Sequence, residues 1–468
     1  MTYDLIVGGT GFASSFFLHK YLDRFPGTRA LVLEWGQARD YSWMLEHRAH
    51  TDIVSASLIR RSGMSSKRWM FTVGMGGGSN AWWAQTPRFL PEDFALRTTY
   101  GVGVDWPVSY AELASDYDEA EGIIGVAGDR AMPYPTTNDF PQPPHLLSDF
   151  DRAMQRAFPN SWFIAPTARS STGTARRGRC LAAGHCGLCP VDAKFRIMNE
   201  MAELYTRPNV TVITGAEVRS LDLLGGSVSG VVWRDREGRD HIAKGDTIFL
   251  GLNAVFNATT LLRTGVTHPL LGKRLNEQMG VKIAVELADV DSFNGSTQIT
   301  GLGYMFYAGP HRSTHAATLI EHQNAPPRLR LEKGKLRKRA ILKLVYENMP
   351  DDGNYITLQD DFPLMHYTDH SAYAKRAHAT VPRQLAAMLD RTLGIDGMDL
   401  GHIEPSEGHI CGGTSMSASP ATGIVDAQLR HHAYRNLLLG GSGVFPTSPP
   451  SNPSLTIAAL SLRAARML

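Results

Sequence analysis

An apolar strand that runs into a glycine-rich turn, a helix and a second apolar strand fills residues 4–36, and it limits the possible folds more than any other stretch. Asp4-Leu-Ile-Val-Gly8 leads into Gly9-Thr-Gly-Phe-Ala-Ser14, an amphipathic helix follows to about Phe25, and Ala30-Leu-Val-Leu-Glu34 closes the unit. Gly9 permits the tight turn, and Gly11 lets the backbone approach a pyrophosphate at the helix N-terminus. Glu34, ending the second strand, can accept hydrogen bonds from a ribose diol. Ser14 stands where a third glycine is expected, which loosens the helix–strand packing slightly. Gly9, Gly11, Phe12, Ala13, Ser14 and Glu34 are therefore the candidate dinucleotide-binding residues.

Two further stretches are rich in glycine. Val73-Gly-Met-Gly-Gly-Gly-Ser-Asn-Ala-Trp-Trp83 suits a loop pressed against a flat ligand, because missing side chains permit close backbone approach and the paired Trp residues need burial. Near the C-terminus, His409-Ile-Cys-Gly-Gly-Thr-Ser-Met416 puts a His in a Gly-rich turn. Asn436-Leu-Leu-Leu-Gly-Gly-Ser-Gly443 reads as a short strand entering glycines. Ser451-Asn-Pro-Ser-Leu-Thr-Ile457 then opens a helix with Pro453 expected at its first position.

This C-terminal order, with the Gly-rich loop and the N-terminal turn, resembles the glucose-methanol-choline (GMC) flavoprotein oxidoreductases. Its nearest likeness is to pyranose oxidase and the iron–sulfur-containing sugar and glycoside dehydrogenases. The resemblance implies an α/β fold: a Rossmann-like FAD-binding domain and a second α+β substrate lobe built on an antiparallel sheet. It makes His409 and Asn452 the residues flanking the flavin ring. It also implies flavin contacts from Gly77, Ser79, Asn80, Gly441, Ser442, Pro453 and Thr456, and an adenine contact from the backbone at Val218. Some relatives attach FAD through a His in the glycine loop. Ala81 stands at that position and has no nucleophile, so FAD is expected to be non-covalent.

The chemistry suits these residue types. Alcohol oxidation removes a hydride from carbon, which flavin N5 accepts, and a proton from oxygen, which the protein must take. A His can take that proton near neutral pH, and a non-titrating Asn can hold the oxygen so that the C–H bond points at the flavin.

Cys180-Leu-Ala-Ala-Gly-His-Cys-Gly-Leu-Cys-Pro190 groups three of the four cysteines as C-x5-C-x2-C-P. Three readings stand side by side. Closely spaced thiolates suit an iron–sulfur cluster, with Cys180, Cys186 and Cys189 holding [3Fe–4S]; zinc can take the three thiols plus His185; or the cysteines form a Cys186–Cys189 disulfide or stay as buried thiols. The resemblance favours the first, since several sugar dehydrogenases of the family pass electrons from flavin to such a cluster. Cys411, beside His409, is expected to be a buried thiol.

The remaining sequence is patterned in blocks. Residues 1–128, 205–280 and 401–468 are assigned to the FAD-binding domain, 129–204 to an extended connection carrying the cysteines, and 281–400 to the substrate lobe. Within that lobe Lys282–Leu287, Ala340–Tyr346 and Asn354–Leu358 alternate as strands, a helix is expected over Ser371–Leu393, and His366, Tyr367 and His370 are possible pocket residues. A content of 43% hydrophobic and 20% charged residues is that of a globular chain, and a net charge of +2 gives no case for nucleic acid or a membrane surface. The basic run Lys335–Arg339 reads as a solvated face, and no apolar run reaches the length of a membrane span. The chain starts almost directly on a strand, so a cytoplasmic location is expected, or a periplasmic one if a partner carries the export signal.

The reading is thus an FAD-dependent oxidoreductase acting on a secondary hydroxyl of a sugar, glycoside or polyol. Its electrons are expected to leave through the cluster to an electron-acceptor protein or quinone, with a small accessory subunit as a possible partner. The alternatives are an oxygen-using oxidase with structural cysteines and a non-catalytic flavin- or metal-binding subunit.

Overall fold

The computed structural model describes residues 2–324 and 338–468. Residues 335–337 of the basic run lie outside the described residues, while Arg339 at its end pairs with Glu286 across two strands.

A 7-stranded sheet carries the nucleotide end of the molecule. Its parallel core has the order Val210–Thr214, Ala30–Glu34, Thr2–Gly8, Asp240–Leu250 and Leu437–Leu439. The antiparallel hairpin strands Ser227–Arg234 and Glu217–Leu224 extend it from Asp240–Leu250. Leu5, Ile6 and Val7 are wholly buried, as expected where helices cover both faces of a parallel sheet. The helices Phe12–Arg24 and Ser454–Arg466 pack on each other beside it, so the two ends of the chain meet.

The expected loosening at Ser14 does not occur. Ser14 is fully buried and its hydroxyl donates to Gly8 O at 2.8 Å. Gly251, just past the strand Asp240–Leu250, makes the room: a Cβ there would stand 2.2 Å from Ser14 Oγ. The missing side chain has moved from the helix to the facing strand.

The second sheet has 6 strands in the order Ile395–Ile403, Met279–Leu287, Arg339–Tyr346, Thr318–Gln323, Ile299–Phe306 and Trp162–Ile164. All its pairings are antiparallel. The helix Ala372–Leu393, capped by Ser371, buries Tyr373, Ala377, Val381, Leu385 and Leu389 in the core beneath this sheet. Thr318–Gln323 is buried at all six positions, and its neighbour Arg339–Tyr346 faces it residue by residue, Glu321 opposite Lys343. A third sheet of 3 strands joins Tyr355–Gln359, Phe362–Tyr367 and Arg60–Gly63. The stretch expected to be an extended connection with one short helix near Asp149–Phe158 has that helix at Asp149–Ala157 and adds the edge strand Trp162–Ile164 to the second sheet.

Replacing Gly251 by Ala should cost about 1–3 kcal/mol by overpacking. Ser14→Gly in the same chain should recover part of that loss in chemical denaturation, and a strictly additive pair would show that the two positions do not share the space.

Candidate active site

The nucleotide end is built from the first turn of the helix Phe12–Arg24. Gly11 is its N-cap and no side chain caps it, so the first backbone N–H groups are available to an anion. Phe12 and Ala13 turn their side chains into the core, with the Phe12 ring 4.7 Å from Trp82. Ser14 is likewise committed to Gly8, so these three residues can offer a ligand only their backbone. Glu34 is 5% exposed; it accepts from Thr10 Oγ1 at 2.6 Å and from Gly36 N at 2.9 Å. Burial pushes its carboxyl above the usual range, and these hydrogen bonds pull it back. Backbone hydrogen bonds from Thr10 and Gly74 lower it as well, so a diol would share oxygens that the loop already uses. Thr10, the variable residue of the turn, was not singled out in the sequence. Its hydroxyl also accepts from Gly76 N at 3.0 Å, clipping the glycine loop onto the end of the second strand.

That loop forms a turn of 3-10 helix over Gly77–Asn80. Gly77 lies against the first turn, where a Cβ would stand 3.0 Å from Gly11 Cα. Ser79 is used internally, donating to Gly76 O at 2.7 Å and accepting from Ile197 N at 3.0 Å. Asn80 donates to Met75 O at 2.9 Å, and its buried Oδ1 has no partner. Ala216 N donates to Glu34 O at 2.9 Å, which brings the start of the Val218 strand beside the acid. Gly441 turns the chain at φ 97° and Ser442 donates to Ile410 O at 2.5 Å. Pro453 is the N-cap of the last helix, one residue before the expected position. Thr456 hydrogen bonds Tyr117 across the helix pair at 2.7 Å, so its hydroxyl serves packing. An open helix terminus, a buried carboxylate at the end of the second strand, the close approach of Gly77 to Gly11 and an unpartnered Asn80 amide oxygen together fit an FAD.

His409 is held from two sides by consecutive residues. Its backbone N–H donates to Glu277 Oε1 at 2.8 Å, and its ring Nδ1 lies 2.6 Å from Gln278 Oε1. Glu277 also accepts from Ser406 Oγ at 3.0 Å and forms a buried ion pair with Lys67. Among the described residues nothing bonds His409 Nε2. Burial, and then the positive charge of Lys343, push the imidazole down to about 3. The ring is therefore neutral across the physiological range.

Asn452 donates to the buried Glu321, and its own Oδ1 is buried without a partner. Glu321 faces Lys343 across the second sheet, and Lys343 pairs with Glu407 at 2.5 Å. A carboxylate–ammonium–carboxylate row, Glu321 and Lys343 from this sheet and Glu407 from the loop after it, thus lies beside His409 and Asn452. Neither Glu277, Gln278, Glu321, Lys343 nor Glu407 was singled out in the sequence; Lys343 in the mostly apolar run Ala340–Tyr346 is the nearest thing to a signal. Tyr367 and His370 belong to the belt behind the site: Asn348 donates to Tyr367 OH at 3.0 Å, and that hydroxyl lies 3.1 Å from His370 Nδ1. His366 instead meets Ser62 at 2.8 Å and stacks on Tyr355.

Cys180, Cys186 and Cys189 line one pocket together with His185, Arg169, Lys194 and Gln298. All four cysteines are free, so the expected alternative of a Cys186–Cys189 disulfide is not what forms. Burial raises the Cys186 thiol, Arg169 opposes this, and the other two thiols add to it. Among the described residues, no group of three or more His, Cys, Asp or Glu side chains has the arrangement of a metal site. Lys194 Nζ donates to Gly187 O at 2.8 Å in the cysteine loop, and to Asn80 O at 2.6 Å and Trp82 O at 3.0 Å in the glycine loop. Cys411 is a buried thiol, as expected, donating to His409 O at 3.2 Å and pushed up to about 12. No helix among the described residues is long and apolar enough to cross a membrane.

Residues 364–461 match the family model described as GMC oxidoreductase. Along 99% of its length the chain is 25% identical to the fructose dehydrogenase large subunit of Gluconobacter japonicus, covering 97% of that protein. It is also 25% identical to the 6'''-hydroxyparomomycin C oxidase of Streptomyces lividus, over 89% of this chain and 83% of the relative. The fold is shared with pyridoxine 4-oxidase from Mesorbium loti at a TM-score of 0.67 and 16% identity, covering 100% of this chain and 99% of that one. The segment that holds His409 and Asn452 thus matches the GMC oxidoreductase model, and relatives named as dehydrogenase and oxidase align along most of the chain.

Proposed function

We propose that the chain oxidises a secondary hydroxyl of a sugar, glycoside or related polyol with non-covalent FAD. The observation that carries this reading is a neutral His409 with an unbonded Nε2 on the same wall as an Asn452 with an unpartnered Oδ1. FAD, when bound, supplies the hydride acceptor. His409 Nε2 takes the hydroxyl proton as the carbon loses its hydride. One Asn452 N–H is spent on Glu321; the other holds the reacting oxygen, and Oδ1 accepts from a neighbouring hydroxyl. A substrate with adjacent hydroxyls satisfies both ends of that amide. Gly11, Glu34 and the Val218 backbone would hold the adenosine and pyrophosphate, with Gly77, Asn80, Gly441 and Ser442 at the ring and Ala81 offering no covalent attachment.

Cys180, Cys186 and Cys189 would hold a [3Fe–4S] cluster, which when bound would supply one-electron transfer. Three free thiols on one pocket, with Arg169 and Lys194 beside them, support an anionic group there. An electron-acceptor protein or small accessory subunit would complete the path. The rival is an oxygen-using oxidase with structural cysteines, favoured by the oxidase named among the relatives and by the absence of a metal-ready group among the described residues.

Anaerobic absorbance with iron quantification separates the two. Flavin bands with about three irons per chain, and dye reduction without peroxide, are the expected result; flavin without iron, with peroxide formed, would move the assignment to the oxidase.

His409→Ala should lower kcat by about 10²–10⁴-fold while the flavin spectrum stays intact. The base works only when neutral, and its pKa lies below the ordinary 6.5, near 3. Hence kcat/KM should stay level as pH falls from 8 to about 5 and decline only below that. An acid limb at pH 6.5 would place the proton elsewhere.

A further inference from the structure

We infer that Gln278 is the positioning residue that fixes His409 as a base acting through Nε2, and that it holds the Asn452 segment in register with that ring. The inference rests on the reading of His409 as the base and adds the group that makes it one.

The argument begins with the orientation of the amide. Gln278 is 2% exposed, at the entrance to the strand Met279–Leu287. Its Nε2 donates to Ser451 O at 2.8 Å and also to Pro449 O. Both are carbonyl oxygens, which only accept, so the NH₂ end must face them. Oε1 is then the end that meets His409 Nδ1 at 2.6 Å, and it too can only accept. Nδ1 must therefore carry the proton. In a neutral ring that leaves the lone pair on Nε2, the nitrogen with no partner among the described residues. One side chain decides which nitrogen is basic.

The same amide joins two segments that are far apart in sequence. Ser451 directly precedes Asn452, and Gln278 Nε2 holds its carbonyl. Glu277 grips the His409 backbone, and the 276 and 411 backbones exchange bonds of 2.9 and 2.8 Å. Gln278 thus sets the ring on one side and the Asn452 backbone on the other. A Met would fill the same volume without donating or accepting. A Glu would still accept from Nδ1–H while bringing a negative charge.

The charged groups around His409 are Glu277 and Lys67 on one side and Lys343, with Glu407 and Glu321, on the other. A carboxylate at 278 would join them in direct contact with the ring and favour the imidazolium.

The test is a double-mutant cycle on flavin-loaded protein, with flavin absorbance and circular dichroism checking the fold of each variant. Gln278→Met should lower kcat by about 10–10²-fold in the wild-type background. In a His409→Ala background it should change kcat less than about twofold, because a group acting through the imidazole has nothing left to act on. Equal losses in both backgrounds, or no loss in the wild type, would overturn the inference. If His409→Ala alone leaves kcat unchanged, it is the base assignment that fails, a different outcome from either of these. Gln278→Glu supplies the answer if the Met variant does not fold: the acid limb of kcat/KM should move up by about one pH unit or more, and an unmoved limb would count against the contact.

Discussion

The Glu277 carboxylate is the point on which the rest of the site depends. It is fully buried and meets an ammonium from Lys67, a hydroxyl from Ser406 and the backbone N–H of His409. These partners come from the loop after the strand Arg60–Gly63, from the turn before His409, and from His409 itself. A buried carboxylate without them would be costly, and removing one partner of such a pair typically costs about 3–5 kcal/mol. Lys67 is held in turn by the faces of Trp69 at 4.7 Å and Tyr367 at 5.2 Å. A structural ion pair, one residue from the contact to the imidazole, therefore anchors the His409 turn on the second sheet.

The nucleotide end was legible because its chemistry is local. A glycine turn between two apolar strands announces itself within thirty-odd residues, and the strands and helices follow the pattern to within a residue or two. What escaped were relations between distant residues. Ser14 and Gly251 share one space, and neither position reveals the other. Thr318–Gln323 is buried on both faces, so the alternation that marks a half-buried strand is absent, and Glu321 on it gave no sign of touching Asn452. Gln278 sits in no motif. The two catalytic candidates could be read from the C-terminal segment, but the wall that orients them comes from strands more than a hundred residues earlier.

The cysteine segment shows the same division. Its spacing gave three thiols on one loop, and the structure lines one pocket with them. What the spacing could not give is the tie between that pocket and the glycine loop. Burial pushes the Lys194 amine down to about 7, yet its three carbonyl partners span both loops. Arg169 reinforces the tie, donating to Trp83 O and to Gln85 Oε1 at 2.9 Å, with its guanidinium 4.0 Å from Cys186 Sγ. Both cations bond mainly to backbone and amide oxygens, so they fasten the loops whatever the ionisation of the thiols.

The amide shared between the His409 ring and the Ser451 carbonyl has a mechanical meaning as well. Two contact points carried on a long, loop-rich path would ordinarily drift independently, and the errors in their spacing would add along the chain. Here both are referred to one short, buried lever at the root of a strand. Thermal motion of the lobe carries the pair together, and the gap between them varies with the play of a single rotamer.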